Sequence, residues 1–257
     1  MRKAVSFSEG LSSDSSKLSP SKKDGDDTKN EKNPNVTPLR VPPLNHPVTV
    51  LPFQSLYAAY ALFAKYDVLT NKNEALVQSL KGLIGLQFAY GVLILFNYSQ
   101  DSTQSRKRSY FGNFAVIILN IIISLIMSVP VHMLLLLFGA PILSLNKETF
   151  LLAAHLSLLT VFPILSTYRA THAEKDFGMT FSTLFFRLVT VQVHGDISKH
   201  IVYMTLLGTV FGTWLGITPI PLDWDRPWQE WPITLLVGAF LGNFVGGLIS
   251  CISILFF

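Results

Sequence analysis

Three groups of side chains in this sequence have the types that chemistry needs. His194, Asp196 and His200 fall close together, and a histidine near an aspartate is the composition of a general base or of part of a metal site. His132 and His155 lie inside strongly apolar stretches, where a polar side chain is costly and is a functional candidate by default. Arg226 stands in the run Asp223-Trp224-Asp225-Arg226-Pro227-Trp228. A guanidinium among indole rings is suited to a phosphate or a carboxylate.

Each group also has a plainer account. The His194–Asp196 pair lies in a loop that carries Lys199 and has no further acidic or histidine group at ligand spacing. A solvated loop, with Asp196 or Ser198 capping the helix that follows, is the favoured reading. His132 and His155 could face each other at similar depth, but imidazoles satisfied by neighbouring helices are the simpler expectation. Lys81 is close enough to the end of its apolar stretch to snorkel, and Asn120 and Asn243 read as hydrogen-bonding contacts between helices. The single Cys251 can form neither an intramolecular disulfide nor a cysteine-based metal site. No cofactor and no metal are expected.

The elements that must position these groups are membrane helices. Of the 257 residues 49% are hydrophobic and only 14% charged, and the mean hydropathy is +0.41; a soluble domain carries about 25% charged residues. Residues 1–47 hold 8 of the 20 Lys+Arg and 6 of the 16 Asp+Glu. That stretch is rich in Ser, Lys and Asp and nearly lacks large apolar residues, so it reads as a disordered tail. Its prolines, ending at Pro47, make an extended linker. No apolar leader follows Met1, so the first span is expected to serve as the insertion signal. No basic patch is interleaved with aromatics, and nucleic acid is not an expected partner.

Residues 48–257 read as an all-α polytopic domain of about six spans, over 48–69, 75–98, 111–140, 149–168, 200–217 and 231–257. The third is too long for a straight crossing and contains Pro130, which predicts a tilt or kink. Six spans place both termini on one side. With that side cytoplasmic it carries fifteen basic residues against four on the other, counting Lys65, Lys72, Lys147 and Arg226. The positive-inside rule then puts the segment around Arg226 in the lumen. The stretch 176–194 repeats apolar residues at helical spacing (Phe181, Leu184, Phe185, Leu188), which suits an interfacial or re-entrant helix. On this topology the Asn35-Val36-Thr37 and Asn97-Tyr98-Ser99 triplets should not be glycosylated.

The last two spans share one pattern. Gly208, Gly212 and Gly216 lie in the first, and Gly238, Gly242 and Gly246 in the second. Glycines four apart line one helix face and allow another helix to approach closely. Whether the ladders meet each other or a partner is open at this level. Between them, residues 219–232 contain four prolines and three tryptophans, Trp224, Trp228 and Trp231; with Trp214 these are all the tryptophans of the chain. The segment reads as a rigid cap, beyond what an aromatic belt requires.

At this cap the chain resembles the PIG-F family of glycosylphosphatidylinositol (GPI) anchor biosynthesis proteins. Thr213-Trp214-Leu215-Gly216, Pro219-Ile220-Pro221-Leu222-Asp223-Trp224-Asp225-Arg226-Pro227-Trp228-Gln229 and Trp231-Pro232-Ile233 carry the likeness. Phe138-Gly139-Ala140-Pro141 and Glu148-Thr149-Phe150-Leu151 add to it. The likeness runs from about residue 48 to the end and does not include the serine-rich tail. It implies a non-catalytic subunit of the endoplasmic reticulum membrane. Its implied partners are PIG-O-type and PIG-G-type ethanolamine phosphate transferases, which modify GPI mannoses, with the GPI precursor lipid as a second candidate contact. The residues agree on one point: lumenal loops this short leave no room for a metal-dependent transferase site. Trp214, Asp223, Trp224, Asp225, Arg226, Trp228 and Trp231 are the expected contact residues for partner or lipid. Two other readings stand beside this one: a lipid-handling or flipping protein, and an intramembrane lipid transferase that uses its own histidines.

Overall fold

In a bilayer every backbone N–H and C=O must find its partner within the protein, so long apolar runs become helices. The computed structural model describes residues 47–99, 110–141, 144–171, 197–222 and 226–256, and among these it is helical without strands. The expected tail over 1–47, the expected amphipathic helix over 176–194 and the triplet at Asn35 lie outside the described residues, apart from Pro47.

A 3-10 turn at Pro47–Val50 leads into α1 (Phe53–Ala64). Then come α2 (Lys72–Ser99), α3 (Tyr110–Ile126), α4 (Ser128–Leu137) and α5 (Asn146–Thr171). After a second 3-10 turn at Ile197–Lys199 follow α6 (Ile201–Leu215) and α7 (Ile233–Phe256). Five segments are long and apolar enough to cross a membrane, α3 and α4 counting as one; α6 is apolar but shorter. The first span is helical only to Ala64, not to residue 69. The last starts at Ile233, after Pro232, because proline has no N–H to continue a helix from the preceding turn.

The long third span breaks once, at Met127. Pro130 is the third residue of α4. Its missing N–H would have bonded the Ile126 carbonyl, so the break falls where the ladder loses that bond. At the other end α4 closes on Gly139, whose φ of 95° suits glycine alone. Gly139 N–H donates to the Leu136 carbonyl and Ala140 N–H to the Leu135 carbonyl, 3.0 Å each. This pair of bonds is a Schellman motif, and Pro141 follows to stop the helix.

The bundle is arranged around α5, which touches α2, α3, α4, α6 and α7. In its membrane-length window 72% is buried. Ala153 and Ala154 let neighbours approach, while Leu152, Leu158, Leu159 and Phe162 are fully enclosed. Pro163 lies within α5 and leaves the Leu159 carbonyl without its helical donor. Asn243 of α7 supplies one, its Nδ2 lying 3.5 Å from that oxygen. The same amide donates to Thr209 Oγ1 of α6 at 2.9 Å and accepts from Ser55 Oγ of α1 at 2.7 Å. One asparagine therefore ties four helices together.

The candidate cap and its hairpin

The glycine ladders meet each other. A Cβ placed on Gly208 would fall on the Gly242 carbonyl, one on Gly212 on that of Gly238, and one on Gly216 on that of Thr234. The reverse holds for Gly238, Gly242 and Gly246, whose Cβ positions are taken by the carbonyls of Gly212, Gly208 and Met204. Contacting residue numbers rise on one helix as they fall on the other, so α6 and α7 form an antiparallel hairpin. Backbone lies directly on backbone, and van der Waals contact replaces the hydrophobic drive that lipid cannot supply. Gly247 extends the contact to Pro52, whose Cγ lies 2.9 Å from the Cβ position.

The segment joining the two helices is built around Gln229, a residue to which the sequence reading gave no role. Gln229 is buried. Its Nε2 donates to the carbonyls of Pro219 (2.7 Å) and Leu222 (3.0 Å), and its Oε1 accepts from the Arg226 N–H (2.8 Å). The carbonyl of Arg226 in turn accepts from the Gln229 N–H at 2.8 Å, which closes the 3-10 turn Pro227–Gln229. A single amide side chain thus satisfies three backbone groups that a turn would otherwise leave to water.

Two further bonds fasten this turn to the bundle. Lys72, at the start of α2, forms an ion pair with Glu230 at 2.9 Å. Trp231 donates its indole N–H to Thr149 Oγ1 at 3.1 Å, and the Thr149 hydroxyl donates to the Leu145 carbonyl at 2.8 Å. The turn before α2, the turn before α5 and the cap therefore share one end of the bundle, as alternating spans require.

The cap side chains divide by exposure. Trp214 is 65% exposed and Arg226 is exposed; Trp228 is partly covered, and Trp231 is held inward against α5. Asp223, Trp224 and Asp225 lie outside the described residues. Among the described cap residues Arg226 and Trp214 are therefore the exposed ones, and the Trp214 ring stands 5.8 Å from that of Phe211.

Among the described residues His132 and His155 share no hydrogen bond. His155 is fully buried. Its Nδ1 lies 2.7 Å from the Leu151 carbonyl, which can only accept, so Nδ1 carries the proton and Nε2 accepts from Ser79 Oγ at 3.3 Å. Both nitrogens are used and the ring edge rests on Phe240. His132 packs edge-on against Phe150, and its Nδ1 has no hydrogen-bond partner among the described residues. His194 and Asp196 lie outside those residues. His200, not the expected Asp196 or Ser198, is the N-cap of α6, and its side chain makes no capping hydrogen bond. The 3-10 turn at Ile197–Lys199 occupies the place of the capping loop. Lys81 is exposed, and Asn120 reaches Ser166 of α5 at 3.4 Å. Among the described residues no three His, Cys, Asp or Glu side chains are grouped as metal ligands.

Residues 50–251 match the family described as GPI biosynthesis protein family Pig-F. The chain is 38% identical to "Glycosylphosphatidylinositol anchor biosynthesis protein 11" of Debaryomyces hansenii, over 78% of this chain and 80% of that one. It is 30% identical to the protein of the same name from Candida albicans, over 98% and 95%. For the Yarrowia lipolytica protein the figures are 35%, 82% and 86%. No solved structure matches. A match covering most of the chain, cap and hairpin included, shows that the chain belongs to the Pig-F family of GPI biosynthesis proteins.

Proposed function

We propose that this chain acts in GPI-anchor biosynthesis as a non-catalytic membrane subunit. In this role it stabilises or assembles PIG-O-type and PIG-G-type ethanolamine phosphate transferases in the endoplasmic reticulum. The observation that carries the reading is the cap. It is a turn fixed by Gln229, Lys72 and Thr149 that carries an exposed Arg226, and it follows the end of α6, where Trp214 is exposed. Tryptophan and arginine on a rigid support are the residue types that dominate binding at protein interfaces. Family membership supplies the pathway, and the fifteen-to-four asymmetry of basic residues favours cytoplasmic termini with the cap in the lumen.

Co-purification in mild detergent from cells carrying tagged Trp214→Ala tests this reading. The ring is exposed, so the fold should survive its loss. The transferases should co-purify with the parent chain and about tenfold less with the variant, as for an interface residue worth more than 1 kcal/mol. Equal recovery, or no transferase with either chain, would sink the proposal. The histidine-based transferase has less support, because His155 is enclosed with both nitrogens engaged.

A further inference from the structure

α1 carries polar side chains on two opposite faces, and only one of these faces is met by the bundle. Ser55, Ala58 and Leu62 are buried, and Ser55 Oγ donates to Asn243 Oδ1 of α7 at 2.7 Å. That packing fixes the rotation of α1 about its axis and turns Phe53, Tyr57 and Tyr60 outward, at 56%, 50% and 68% exposure. Neither phenol has a hydrogen-bond partner among the described residues. Other polar groups of the spans are treated differently. Tyr90 of α2 is buried and donates to the Val50 carbonyl at 2.9 Å. Asn120, His155 and Asn243 are likewise buried and hydrogen-bonded.

Depth decides what can meet the two phenols. The first membrane-length segment runs Pro47–Ala64, and the exposed charges Lys65 and Asp67 mark its C-terminal boundary. Tyr57 precedes Lys65 by about 12 Å at 1.5 Å per residue, against roughly 15 Å for half of a hydrocarbon core of about 30 Å. Side chains on a helix lean toward its N-terminus, so the Tyr57 ring points away from Lys65 and deeper into the core. Tyr60, one turn nearer the boundary, leans the same way. An aromatic belt holds tyrosine where its hydroxyl reaches headgroups; Tyr57 is too deep for that. Acyl chains offer no acceptor at this level, and a hydroxyl left unbonded there is costly. Spacing adds a second indication. Phe53, Tyr57, Tyr60 and the exposed Ala64 recur at intervals of four, three and four, the seam of a left-handed helix pair.

We infer that the Phe53–Tyr57–Tyr60–Ala64 face of α1 docks a transmembrane helix of the partner subunit. That helix carries acceptor side chains, amide, hydroxyl or carboxylate, at the depth of the two phenols. Lipid supplies neither the acceptor nor a reason for the seam. A second copy of this chain is the poorer match, because two phenols facing across a symmetric seam share one bond and leave one proton unused. The inference rests on the partner-subunit reading and adds to it a contact within the membrane, on a different element from the cap.

The full chain carrying Tyr57→Phe and Tyr60→Phe together keeps both rings and loses only the hydroxyls. Purified from cells in mild detergent, it should bring down about tenfold less transferase than the parent, the loss expected of two hydrogen bonds between helices. Its yield and thermal unfolding should match the parent's, which sets misfolding aside. As a second measurement, photoreactive p-benzoylphenylalanine in place of Phe53 leaves both phenols intact. It should cross-link a membrane-spanning peptide of a transferase, identified by mass spectrometry. The same residue in place of Ile122 on α3, which is similarly exposed, should cross-link lipid. Equal recovery by parent and double variant overturns the inference. Cross-links from position 53 to lipid, to a second copy or back to this chain do so as well. Trp214→Ala run alongside separates the two readings. Transferase lost with Trp214→Ala but retained by the tyrosine variant removes the α1 site and leaves the partner reading; transferase absent even with the parent removes both.

Discussion

Asn243 and Gln229 spend a whole side-chain amide on the backbone and hydroxyl groups of other elements, one inside the bundle and one in its cap. Asn243→Leu removes bonds to three helices and leaves the Leu159 carbonyl, already deprived by Pro163, without a donor. The expected loss is about 1–2 kcal/mol, near the upper end for such contacts in membranes. Asn120→Leu, which gives up one long bond to Ser166, should cost clearly less. Unfolding in mixed micelles measures both, and equal losses would count against the four-helix tie. Gln229→Ala should instead leave global stability nearly unchanged and speed amide exchange at Arg226, whose N–H donates to the Gln229 side chain; unchanged exchange would show that the turn holds itself. The Asn243 contact is legible in sequence because a polar residue in an apolar run needs a partner. Its dependence on Pro163 is not, since nothing in the sequence says which helix lies opposite. Gln229 goes unnoticed because a glutamine in a charged turn looks like one more solvated side chain.

At the level of elements, the two ladders show their spacing in the sequence but not their partner. Only coordinates reveal that each Cβ position is occupied by the carbonyl of the other helix. Gly212→Ala must therefore push two backbones apart and should cost about 1–3 kcal/mol, the range for overpacking. Gly85→Ala in α2 meets nothing within 4 Å and should gain up to about 1 kcal/mol from helix propensity. Thermal unfolding of the two variants side by side separates packing from propensity; a harmless Gly212→Ala would contradict the geometry. Larger changes at the ladder, such as Gly242→Leu, disrupt the hairpin itself and report on folding before they report on any partner. The break in the third span was likewise readable from Pro130, but its place at Met127 depends on which carbonyl loses its bond.

For the whole molecule, the shared end formed by the cap and the turns before α2 and α5 ties three segments to one side of the membrane. From the charge asymmetry we propose that this side faces the lumen. A cysteine placed at Pro227 should react with an impermeant maleimide only after the lumenal face is opened, and one at Ser144 should behave alike; reaction of either in sealed, cytoplasm-out vesicles would reverse the orientation. The fold class was visible in composition alone, whereas α6 was expected as a full span and is only 15 residues long. That brevity has a consequence for the lipid around the protein. At 1.5 Å per residue α6 is about 22 Å long, against roughly 30 Å for an average hydrocarbon core and 27 Å for the endoplasmic reticulum. Its antiparallel neighbour α7 continues past the start of α6 from about Ser250 to Phe256. Around the hairpin the bilayer must thin or the polar boundary must dip toward Ile201, and either deformation grows with membrane thickness. The hairpin is thus matched to a thin membrane, and hydrophobic mismatch would work against its residence in thicker ones.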